Sequence, residues 1–113
     1  MPLGLVETLE TIAERLAETR AVKHSWILIR ATGTGGGDFL LECGPRKAKV
    51  VRAQAPTSPP TIEIIGEAKY IQPLLRGEHD PRKLFFAGKL RVRGDLAYLS
   101  ALALELGILK APL

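Results

Sequence analysis

The sequence predicts a single α+β domain: one amphipathic helix, a run of short strands, and then three helical segments around one late strand. Three observations carry this. Leu5, Leu9, Ile12 and Leu16 recur at helical spacing near the start of the chain. Ser25-Trp26-Ile27-Leu28-Ile29, Phe39-Leu40-Leu41-Glu42-Cys43, Lys49-Val50-Val51-Arg52-Ala53 and Thr61-Ile62-Glu63-Ile64-Ile65 are β-branched, aromatic or alternating runs separated by turn formers. From Glu67 the pattern becomes helical, and Lys89-Leu90-Arg91-Val92-Arg93 interrupts it with a clean alternation.

The first helix is expected from about Leu3 to Thr19, with Pro2 suited to a first-turn position. Its apolar stripe faces a core, and Glu7, Glu10, Glu14 and Glu18 lie on the other side. The stripe is too short for a coiled-coil seam.

Between the first two strands, Thr32-Gly33-Thr34-Gly35-Gly36-Gly37-Asp38 reads as a hairpin loop. Glycine-rich loops also cradle phosphates, but that use needs a helix N-terminus after the loop. Here a strand follows, and no Gly-Lys-Ser/Thr ending is present. Gly44-Pro45-Arg46-Lys47 is the next turn. Ala55-Pro56-Thr57-Ser58-Pro59-Pro60 lacks the N–H donors of a ladder and is loop. Consecutive strands joined by short turns predict a four-stranded antiparallel meander.

Glu67 to Arg76 is a short helical segment that Pro73 should kink or split, with Gly77 ending it. Asp80-Pro81 supplies an N-cap and a first-turn proline for a helix carrying Leu84, Phe85 and Phe86, which stops at Gly88. After the late strand, Gly94-Asp95 turns and caps a last helix, Leu96 to Leu106, with Gly107 as its stop. Leu96, Leu99, Leu102, Ala103, Leu104 and Leu106 cover more than half of that helix, and Glu105 is its only charge. A helix lying on a solvated sheet needs an apolar stripe of only about 100°. The excess points to burial on two sides, an oligomer interface or an apolar ligand.

A chain of 113 residues fits one domain, which buries roughly 65% of the surface its unfolded form exposes. Any internal cavity must be carved from that one modest core. No apolar run approaches the roughly 20 residues of a membrane-spanning helix. The N-terminus lacks the basic start of a signal peptide. Cys43 is the only cysteine, so no internal disulfide is possible, and a reducing cytoplasm is the expected compartment. The net charge of +4 suits either a solvated surface or an anionic partner. Aromatics are 5% of the residues and do not alternate with the basic ones, which argues against a single-strand nucleic-acid platform.

A catalytic set is not evident. Ser25, Ser58 and Ser100 lack an elbow motif, and His24 and His79 precede a strand and sit in a turn. Cys43 reads as a small buried apolar residue. Asp80 is needed as a cap, so Glu78-His79-Asp80 does not read as a metal site. Glu42 and Glu63 would be candidate acids or bases if they faced a cavity, but alternation puts them on the face opposite Phe39, Leu41, Ile62 and Ile64. No cofactor is expected.

The stretch Gly77-Glu78-His79-Asp80-Pro81-Arg82-Lys83-Leu84-Phe85-Phe86-Ala87-Gly88-Lys89-Leu90-Arg91-Val92-Arg93-Gly94-Asp95 resembles the signature of the sterol carrier protein type-2 domain family. The shared features are a Gly-x-x-x-Pro turn, a short helix ending in Phe-Phe, Gly-Lys-Leu, an alternating strand, and Gly-Asp opening an apolar helix. The match is dense here and holds by pattern over the rest of the chain. The resemblance implies a mixed five-stranded sheet, with helices on one face enclosing an apolar tunnel. It also implies a non-catalytic module that binds sterols, fatty acyl chains or other lipids, or assists enzymes of quinone biosynthesis. The chain departs from longer members at its end, Lys110-Ala111-Pro112-Leu113, which is not a peroxisomal ending.

On this reading the tunnel is lined by Phe39, Leu41, Ile62 and Ile64 from the sheet, Phe85 and Phe86 held over it, Leu90 and Val92 from the late strand, and Leu99, Leu102 and Leu106 from the last helix. Each buried methylene of a ligand contributes about 0.8 kcal/mol, so about ten would offset the costs of association and leave micromolar affinity. Arg82, Lys83, Lys89, Arg91 and Arg93 form a basic set suited either to blocking an edge or to docking on an anionic membrane surface. The expected partners are an apolar small molecule or lipid, such a membrane surface, a client enzyme, and a second copy meeting through the last helix; nucleic acid is not expected. The competing reading is a small enzyme or accessory factor acting on a hydrophobic polyketide, terpenoid or quinone intermediate in the same cavity.

Overall fold

The computed structural model describes residues 4–18, 25–44, 47–52 and 61–109. The expectations for Pro2, His24, the Pro45-Arg46 turn, the 55–60 loop and residues 110–113 lie outside these. The elements are α1 (Leu5–Glu18), β1 (Ser25–Thr32), β2 (Gly37–Gly44), β3 (Lys47–Arg52), β4 (Ile62–Glu67), α2 (Ala68–Leu75), α3 (Pro81–Phe86), β5 (Leu90–Gly94) and α4 (Leu96–Glu105).

The strands form one sheet in the order β3-β2-β1-β4-β5. β1, β2 and β3 are the antiparallel meander the sequence predicts. β4 is not its fourth member. It leaves the β3 edge and lies parallel to β1, with Ile27 beside Ile62 and Ile29 beside Ile64. A parallel neighbour cannot be reached by a tight hairpin. β5 then pairs antiparallel with β4. The sheet is therefore mixed, and the domain is α+β.

Alternation assigns the two faces. Ile27, Ile29, Phe39, Leu41, Ile62, Ile64 and Leu90 are buried in one cluster with Leu5, Leu9, Ile12 and Leu16 of α1 and Ile71 and Leu74 of α2. Register sets them in rows, Leu41–Ile27–Ile62 and Phe39–Ile29–Ile64–Val92. Full burial of each such side chain contributes about 1.5–3 kcal/mol. α1 rests on β3 and β2, and α2 lies against α1, β4 and β1. On the other face Leu28 pairs with Leu40 and both are buried, while Trp26 and Val51 beside them are exposed.

Pro73 does not split its helix. α2 runs unbroken to Leu75. The carbonyl that Pro73 leaves without its usual N–H belongs to Lys69, on the exposed side, where water can serve it. The Gly33–Gly36 segment closes the β1–β2 hairpin, with the Gly36 amide donating to the Gly33 carbonyl over 3.1 Å.

Two caps act as their sequences predict. The Asp80 carboxylate accepts from the Arg82 amide (2.9 Å), with Pro81 opening α3, and that of Asp95 accepts from the Tyr98 amide (3.0 Å). Gly94, between β5 and α4, has φ +108°, and a Cβ there would stand 2.1 Å from the Thr61 carbonyl oxygen. That oxygen accepts the Asp95 amide at 2.9 Å. Only glycine allows the close approach that starts α4.

Candidate ligand-binding site

The helix-facing side of the sheet is the candidate site. Of the eleven residues nominated from sequence as its lining, Phe39, Leu41, Ile62, Ile64, Leu90, Leu102 and Leu106 fall in the buried cluster, and Val92 and Leu99 pack against it half-buried. β1 and β4 lie side by side within it, and α4 sends Tyr98, Leu102 and Leu106 into the cluster while Leu96 stays exposed.

Phe85 and Phe86 are placed differently from expectation. Neither lies over the sheet. Phe85 is 53% exposed and Phe86 84%. The six-residue helix α3 has room for one inward position, and Leu84 takes it, packing half-buried against the core. The next two residues turn away by about 100° and 200°. The two rings instead meet each other edge to face, with centroids 5.9 Å apart.

Sequence reasoning missed the polar end of this face. The Ser25 and Tyr98 hydroxyls, both buried, share a hydrogen bond of 2.9 Å. Ser25 is the register partner of Cys43 on β2. Burial pushes the Cys43 thiol above its ordinary range, and a hydrogen bond with Ser25 partly opposes this. Ser25 and Tyr98 are 73 residues apart in the chain, so no local motif announces them; the only clue was a serine and a tyrosine at inward positions of otherwise apolar elements. α1 supplies a second tie, as the Arg15 guanidinium donates to the Leu106 carbonyl at the end of α4. A cation there also complements the negative end of the helix dipole.

Among the described residues, Thr8 and Ser25 are the buried side chains classed as polar, and no carboxylate, imidazole or ammonium joins them. Glu42 and Glu63 lie on the open face, where Glu63 pairs with Arg30 at 3.5 Å. His79 is exposed. No group of metal-ligating side chains that could hold an ion occurs among the described residues. Among the described residues, no helix is long and apolar enough to cross a membrane.

The basic set divides. Arg91 and Arg93 are exposed on the open face of β5, opposite Ile65 and Glu63 of β4. Arg82 and Lys83 ride on α3, and Lys89 leads from it into β5, its Nζ 5.7 Å from the centre of the Tyr70 ring.

The model of the SCP-2 sterol transfer family matches residues 6–104. The chain belongs to the SCP-2 sterol transfer family. The solved structures it resembles carry the same fold. The SCP2 protein UbiJ, described as a ubiquinone synthesis protein, superposes with a TM-score of 0.68 at 16% identity, over 96% of this chain and 94% of that one. Sterol carrier protein 2 from Yarrowia lipolytica, in its apo form, gives 0.59 at 21% identity, over 80% and 79%. Palmitated SCP2L2 from Aedes aegypti gives 0.63 at 15% identity, over 92% and 95%. No curated protein matches. Identities this low speak for the SCP-2 fold alone.

Proposed function

We propose that this SCP-2 domain binds a lipid-like apolar molecule — a fatty acyl chain, sterol, isoprenoid or quinone precursor — between the sheet and α4, and presents or transfers it without covalent chemistry. The observation that carries this is the composition of the inner face. It is apolar along every strand that contributes to it, and its polar relief is the Ser25–Tyr98 pair at one end. An acyl or isoprenoid chain replaces one set of apolar contacts by another on such a face, each buried methylene contributing about 0.8 kcal/mol. Either hydroxyl of the pair can redirect toward a ligand hydroxyl or carbonyl. The family match and the palmitated SCP2L2 relative support the same reading.

A small enzyme working in the same place would have the Tyr98 hydroxyl and the Cys43 thiol as the ionisable groups of the described inner face. A cytoplasmic setting, a client enzyme that receives the cargo and pairing of two copies through α4 accompany the carrier reading as parts of the proposal. Docking of Arg82, Lys83, Lys89, Arg91 and Arg93 on an anionic surface would bring the domain to its cargo. Native mass spectrometry of protein purified without detergent tests the core of it. The expected spectrum contains a protein-plus-lipid mass that collapses to the bare chain on organic extraction. A bare chain throughout, with no uptake when fatty acid, sterol or quinone is added, would refute it.

A further inference from the structure

We infer that the exposed Phe85–Phe86 pair is a wedge that inserts into an anionic lipid bilayer, steadied by the cations around it. The inference rests on the carrier reading and adds where the domain meets a membrane. The two rings are large, exposed and adjacent, and they pack on each other instead of on the core. Their mount is fixed: Leu84 anchors α3 to the core, and its carbonyl accepts the Lys89 amide at 2.9 Å. With its backbone so held, the pair loses little freedom on insertion.

Charge selects the partner. Arg82 lies three and four residues before the rings, and Lys83 two and three, so one helical turn brings both cations beside the aromatics. Lys89 flanks the other side, near Tyr70. Asp80 caps α3, and Glu78 pairs with Arg76 at 2.8 Å. Aromatic rings settle at the headgroup level of a bilayer, and lysine and arginine beside them gain from anionic lipids. A protein partner for two such rings would need a matching apolar pocket with acids placed around it, whereas an anionic bilayer offers both without shape matching.

Co-sedimentation with vesicles of phosphatidylcholine alone, or with about a third phosphatidylserine, tests this. Binding is expected on the anionic vesicles only, weakened by added salt. Phe85→Ala with Phe86→Ala should lower the partition at least tenfold. Arg82→Gln, Lys83→Gln and Lys89→Gln should lower it about fivefold each. The rings are exposed, so the variants should keep the wild-type circular dichroism and the wild-type affinity for a fluorescent fatty acid in solution. Trp26 is the only tryptophan, so Phe86→Trp in a Trp26→Phe background reports directly, with an emission blue shift on anionic vesicles. Equal binding by the double alanine variant, or no blue shift, would overturn the wedge, as would a dimer that the double variant dissolves while vesicle binding stays unchanged. Failure of wild type to take up the fatty acid would instead count against the carrier reading.

Discussion

Tyr98 combines two tasks. Its ring fills core volume beneath α4, and its hydroxyl meets Ser25 where both are buried. Removing one partner of a buried pair leaves the other to find new company, at about 1 kcal/mol. Tyr98→Phe should therefore lower the thermal midpoint by about 4 °C. A double-mutant cycle with Ser25→Ala should return a coupling of about 1 kcal/mol; strict additivity of the two substitutions would show that the hydroxyls do not act together. Cys43, beside Ser25, makes a prediction with a definite sign. Burial raises its thiol above the ordinary range in the folded state. The stability this gives is complete below the unfolded thiol's pKa and is lost as pH rises above about 8.5 toward the folded value. Urea midpoints at pH 7 and pH 10 should therefore fall further apart for wild type than for Cys43→Ala. Equal falls would sink the assignment. Nothing local in the sequence marks this cluster, because its members come from β1, β2 and α4.

At the scale of elements, the alternating strands were legible. A period of two decides which side chains face in, and β4 and β5 show it, whereas β1 and β2 bury three successive residues. Alternation says nothing about which strand lies beside which, so β4 read as the next strand of a meander when it is the parallel neighbour of β1. α3 misled for a different reason. Its signature residues identify the family, but a helix this short has one inward position, and Leu84 holds it. Pro73 looked like a break because its environment is not written in the sequence; an exposed carbonyl makes it tolerable. The β5–α4 junction yields the prediction at this scale. Gly94→Ala forces a Cβ into the space of the Thr61 carbonyl at a positive φ, a combination of steric and conformational cost of about 3 kcal/mol or more. Urea denaturation should show that loss, whereas Gly88→Ala, with open space around it, should lose only about 1 kcal/mol for its left-handed backbone. Equal losses would mean that the junction is not as tight as its geometry.

The molecule as a whole places an apolar interior and a basic, ring-bearing tip on one small domain. Its interior is shared by the sheet, α1 and α2, with α4 drawn in by Tyr98, Leu102 and the Arg15 tie. Much of that interior was legible as apolar periodicity, and nine of the eleven nominated lining residues meet there. Its ligand was not legible, because leucine and isoleucine describe a shape only after folding. A titration of the purified, delipidated domain with a fluorescent polyene fatty acid tests the central claim most directly. Saturable emission enhancement is expected, with one site per chain, a Kd of micromolar or below, and displacement by a non-fluorescent fatty acid, sterol or quinone. Emission that never saturates, or that no apolar competitor displaces, would contradict it.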